Sequence, residues 1–76
     1  MVTPEQLKNW IESGFDGAQV AVEGDGHHFE ASIVAAEFEG KSRIQRHQLV
    51  YAALGDKMKA EVHALSMKTL TPAEVL

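Results

Sequence analysis

No cysteine occurs among the 76 residues of this chain. That absence excludes disulfides, a thiol nucleophile, and any metal site whose thiolates come from this chain alone. Histidine, present four times, is then the best soft ligand available. Long apolar runs are also missing, none approaching the ~20 residues that a membrane-spanning helix requires. The start of the chain lacks the basic and apolar regions of a secretory signal, so a cytosolic address is the default expectation. Positive charge is in deficit, with seven Lys and Arg against eleven Asp and Glu and a net charge of -4. A generic nucleic-acid binder needs cations in excess to neutralise phosphate, and this balance argues against one.

What is present fits one domain, residues 1–76, with a single modest core near the size at which burial only just outweighs chain entropy. With 45% hydrophobic and 24% charged residues, the composition is that of an ordinary globular protein. Charge is distributed unevenly. Residues 1–40 carry eight acids against the single base Lys8, and residues 41–76 carry six bases against three acids, a split of -7 and +3. A folded chain could therefore present one basic face, although solvated helix surfaces account for the same charges.

Thr3-Pro4-Glu5-Gln6 reads as a helix start, with Thr as N-cap, Pro at the first helical position and Gln6 closing a capping box. Leu7, Trp10, Ile11 and Phe15 form the apolar face, and Gly14 is a natural stop. From Ala18 to Glu23 the period changes to two, with Val20 and Val22 on one side. Gly24-Asp25-Gly26 is expected to supply the positive-φ residues of a hairpin turn. The return strand runs from about His28 to Val34, with Phe29, Ala31 and Ile33 on one face and His28, Glu30 and Ser32 on the other. Glu37 to Lys41 breaks the alternation. Ser42 with Gln45 then forms a second capping box, opening a helix that ends near Gly55. Its expected buried stripe is Ile44, Tyr51 and Leu54 with Val50 beside them, leaving Arg43 and Arg46 exposed. A short turn or helix from Asp56 to Ala60 leads to a strand over Val62 to Leu70, with Leu65 and Met67 on the face of His63. Thr71-Pro72-Ala73-Glu74 repeats the Thr-Pro cap and opens a short final helix. The order implies an α+β fold, αββαβ with a helical tail, whose three-stranded sheet is covered by helices on one face.

The blocks Gly-Asp-Gly-His-His-Phe-Glu from Gly24, Phe38-Glu39-Gly40-Lys41-Ser42, Gln45-Arg46-His47-Gln48-Leu49-Val50-Tyr51 and His63-Ala64-Leu65-Ser66-Met67-Lys68-Thr69-Leu70-Thr71-Pro72 together resemble the BolA family. The Gly-Asp-Gly loop and compact length look most like its IbaG branch. The resemblance implies a class II KH-like fold, in agreement with the order read from periodicity and caps. It also implies a non-catalytic partner of CGFS-type monothiol glutaredoxins, paired around a glutathione-supported 2Fe-2S cluster in iron and redox handling. The same resemblance makes His63 the first expected ligand, His28 the second, and His27 a register alternative to His28. Histidine in place of thiolate on one iron would raise the potential, as in Rieske centres.

Read from the residues alone, a lone His is more often a surface or capped residue than a ligand, and His47, in mid-helix, is read as structural. A zinc site of His27, His28 and His63 is chemically possible, but no helical His spacing or carboxylate motif supports a catalytic one. No Ser, His and Asp arrangement in a recognisable motif points to an enzyme. The alternative function is a nucleic-acid-binding regulator using Lys41, Ser42, Arg43 and Arg46. There, Gly40-Lys41-Ser42-Arg43 occupies the place of a KH GXXG loop but lacks its second Gly. A helix N-terminus at Ser42 would favour phosphate, or equally an acidic patch on a partner protein. Homodimerisation stays open at this level.

Overall fold

The computed structural model describes residues 2–57 and 64–75. The elements run α1 (Pro4–Ser13), β1 (Gln19–Gly24), β2 (Phe29–Val34), a 3-10 turn (Ala36–Phe38), α2 (Arg43–Leu54), β3 (Leu65–Leu70) and α3 (Pro72–Val75). The order and the α+β class are those expected from the sequence. Val62 and His63, expected at the start of the third strand, and residues 58–60 of the expected turn lie outside the described residues.

Reciprocal caps start the helices. Thr3 and Gln6 exchange two hydrogen bonds of 3.1 Å, and Ser42 and Gln45 exchange bonds of 2.9 and 3.2 Å. Thr71 and Glu74 close a third box, with bonds of 2.8 and 3.3 Å. Each box satisfies two backbone amides that the helix itself cannot serve. Gly14 ends α1, but its φ of -91° is ordinary. Glycine is needed there because α2 approaches closely: a Cβ at position 14 would overlap that of Ala53.

The sheet order is β1-β2-β3. β1 pairs antiparallel with β2, and β2 parallel with β3. The in-register sets Val20↔Ile33, Val22↔Ala31, Phe29↔Leu65, Ala31↔Met67 and Ile33↔Thr69 define the face turned toward the helices. Ala21, Glu23, Glu30, Ser32, Ser66 and Lys68 are exposed on the opposite face. One core cluster joins Leu7 and Ile11 of α1, Val50 and Leu54 of α2, Phe38 and the inner strand residues. Among the described residues the sheet is therefore covered on one side only.

Three local expectations are corrected. Gly24 is an extended strand residue opposite Phe29, and of the hairpin glycines only Gly26 has a positive φ, 92°. Gly24 is still required, because a Cβ there would overlap the His28 carbonyl oxygen and lie 2.8 Å from Phe29 Cδ1. In α2 the buried residues are Val50 and Leu54, whereas Ile44 is 71% exposed and Tyr51 38%. Helical periodicity permits more than one stripe, and the sheet beneath α2 selects among them. Phe38, absent from the sequence-based core, is fully buried and meets Phe15 edge to face at 5.3 Å. A further correction concerns Arg46 and belongs to the site.

Candidate functional site

The β1–β2 loop is built on Asp25. Its Oδ1 accepts the His27 amide at 2.8 Å and the His28 amide at 3.0 Å, while the Asp25 amide donates to the His28 carbonyl at 3.3 Å. Asp is favoured in such turns because its short carboxylate can take backbone donors two and three residues on. These amide bonds, from His27 first and His28 next, hold the Asp25 carboxyl below the usual carboxylate range. His27 and His28 consequently leave the loop as exposed side chains on a fixed backbone.

His28 faces β3. Its Nε2 lies 3.3 Å from Ser66 Oγ, a hydrogen bond whose direction depends on the tautomer. Because β2 and β3 run parallel with Phe29 opposite Leu65, the hairpin loop and the beginning of β3 stand at one end of the sheet. His63, the leading expected ligand, lies outside the described residues. Among the described residues no group of three or more His, Asp or Glu is arranged to hold a metal ion. Sequence reasoning did not single out Ser66, although it sits in the His-Ala-Leu-Ser block; only the strand pairing makes it a neighbour of His28.

The expected basic residues occupy the other end of β3. Ser42 is the N-cap of α2, and Lys41 and Arg43 beside it are exposed. Arg46, expected to be exposed, is not: its side chain retains 13% exposure and is held on three sides. Nε donates to the Lys41 carbonyl at 3.0 Å, and Nη1 to the Thr69 carbonyl at 3.1 Å. Both Nη atoms donate to the Glu74 carboxylate, at 2.7 and 3.1 Å. The Arg46 hydrogen bond, followed by the Thr71 amide, draws the Glu74 carboxyl down to about 2. The sequence hint for Glu74 was its place three residues after Thr71. His47 is half-buried, and burial, with Arg43 second, pushes its imidazole below the ordinary value. Between α2 and β3 these residues line an open groove of about 560 Å³.

No helix among the described residues is long and apolar enough to cross a membrane. A model of the BolA-like protein family matches residues 3–74. The structure of a BolA homologue from Coxiella burnetii superposes with a TM-score of 0.87 at 51% identity, covering 99% of this chain and 97% of that one. BolA-like protein 1 of Bos taurus is 40% identical over 73 residues, 96% of this chain and 52% of its own length. This chain thus spans about half the length of the mammalian relatives it matches. The DNA-binding transcriptional regulator BolA of Haemophilus influenzae is 31% identical over 78 residues, 90% of this chain and 76% of that protein.

Proposed function

Since the chain belongs to the BolA-like family, we propose that it is a non-catalytic partner of a CGFS monothiol glutaredoxin and helps to hold a shared 2Fe-2S cluster through histidine. The observation that carries this reading is the 3.3 Å approach of His28 Nε2 to Ser66 Oγ, which ties the hairpin loop to the beginning of β3. Leu65, the first residue of β3, is fixed opposite Phe29, the residue that follows His28, and His63 stands two positions before Leu65 in the sequence. The loop that carries His27 and His28 and the beginning of β3 therefore stand at one end of the sheet.

The donor chemistry fits sharing. Without cysteine the softest ligands this chain offers are imidazoles, so the thiolates would come from the glutaredoxin and glutathione. His63 and His28 would be the ligands on this side, with His27 the register alternative. When bound, the cluster supplies a redox-active, transferable iron-sulfur unit whose potential neutral imidazole would raise relative to thiolate. The chain's own residues do the positioning: Asp25 fixes the loop backbone, and Ser66 engages His28 Nε2.

A second reading, nucleic-acid binding through Lys41, Ser42, Arg43 and Arg46, is supported by the name of the Haemophilus relative. It is weakened by Arg46, whose guanidinium is already occupied by Glu74 and two carbonyls.

The test is cluster reconstitution with a monothiol glutaredoxin and glutathione, followed by visible absorption and circular dichroism. Wild type is expected to give a heterodimer spectrum that His63→Ala abolishes and His28→Ala weakens, with His27→Ala the smaller effect. A spectrum indifferent to all three substitutions would remove histidine ligation. Absence of any cluster-bearing complex would remove the partnership and leave salt-dependent DNA binding as the reading to pursue.

A further inference from the structure

β3 is an edge strand. The Ala35 amide donates to the Leu70 carbonyl, so the even-numbered residues of β3 turn their backbone groups toward the β2 side. Strand alternation then turns the N–H and C=O of Met67 and Thr69 outward, into the groove beside α2. The Thr69 carbonyl confirms the direction, since it is taken by Arg46 from α2. Arg46 thus serves one outward carbonyl of this edge, and no strand lies beyond it among the described residues.

The groove walls carry a definite charge. Among the described residues the sole ion pair is Arg46 with Glu74, which neutralises both. Lys41, Arg43 and Lys68 remain at the rim as exposed cations, while Met67 and Leu70 are part-buried apolar residues of the lining. The positive field is felt within the groove: Arg43 adds to burial in holding His47 toward its neutral form. In a chain of net charge -4, this concentration of cations beside an open strand edge is complementary to a negatively charged, extended ligand.

We propose that the groove between α2 and the β3 edge is a docking site for an acidic, extended segment of a partner protein, which adds as a strand to β3. Main-chain bonds to Met67 and Thr69 would supply pairing, and alternate acidic side chains on the α2 side would meet Lys41 and Arg43. A peptide fits better than a nucleic acid. The edge offers backbone donors and acceptors in strand register, and the lining contains no Phe, Tyr or Trp on which bases could stack. The site stands apart from His28, at the opposite end of β3, and does not depend on cluster binding.

The experiment is an NMR titration of the intact ¹⁵N-labelled protein with a short blocked peptide alternating glutamate and valine. Parallel titrations use the lysine counterpart, the glutamate peptide with backbone N-methylation, and a short single-stranded oligodeoxynucleotide. The glutamate peptide is expected to shift the Met67, Thr69 and Lys41–Arg43 amides saturably, and neither control peptide should do so. Lys41→Glu with Arg43→Glu, both at exposed positions, should leave the spectrum dispersed and weaken the peptide about tenfold. Lack of saturable shifts in the groove at millimolar peptide would overturn the proposal, as would equal binding of both peptide charges or indifference to the double substitution. Groove binding by the oligonucleotide alone would reassign the site to nucleic acid. Concentration-dependent shifts of the same amides without peptide would reassign it to a second copy of this chain.

Discussion

Arg46 and Glu74, 28 positions apart in sequence, meet through two hydrogen bonds of 2.7 and 3.1 Å. The pair fastens the short C-terminal helix to α2 across the end of β3. Four residues of helix cannot hold themselves in water, so α3 owes its place to this pair and to the Thr71 cap. The same contact removes Arg46 from the set of cations free to meet an anionic ligand.

The pair makes stability depend on pH in acid. The Glu74 carboxyl is lowered from 4.5 to about 2 by Arg46 and the Thr71 amide. A folded-state value below the unfolded one means that the contribution is complete above pH 4.5 and is lost as pH falls toward 2. Urea midpoints of wild type and Glu74→Gln, measured across this range, should differ at neutral pH and converge near the acid limit. A difference that stays constant with pH would show that the carboxylate charge is not what stabilises the contact. Glu74 is 43% exposed, so solvent screening keeps the effect modest.

Gly24→Ala tests the hairpin. Its Cβ would overlap the His28 carbonyl and crowd Phe29 from 2.8 Å, and the neighbouring groups are backbone and a fully buried ring. The expected loss is about 1–3 kcal/mol in urea unfolding. Amide shifts should centre on residues 25–28. A variant as stable as wild type, with those amides unmoved, would show that the loop has room that the geometry denies it.

Ile44 and Leu54 separate periodicity from burial. Ile44→Lys should change stability by less than about 0.5 kcal/mol, because the side chain stands in solvent. Leu54→Ala should cost about 2–5 kcal/mol, because the side chain is fully enclosed and leaves a cavity. The reverse ranking in chemical denaturation would place the buried stripe where periodicity alone puts it.

The sequence by itself determined whatever depends on near neighbours in the chain. Thr3 with Gln6 and Ser42 with Gln45 announced their helices because a capping box is closed within three residues. Phe29, Ala31 and Ile33 declared the inner face of β2 because pleating fixes alternation locally. His27 was legible as a turn residue, and the family resemblance made His63 and His28 the expected ligands. Contacts between distant residues were decided only by the tertiary structure. The parallel β2–β3 register set Ser66 beside His28, a relation no spacing encodes. The packing of α2 on the sheet exposed Ile44 and Tyr51, and brought Arg46 within reach of Thr69 and Glu74. Phe38 is buried although it follows a break in the alternation, because Phe15 and the core close over it from other elements. Local chemistry fixes where helices and strands begin and which way a strand faces; which charges remain free, and which histidine has a neighbour, follow from long-range packing.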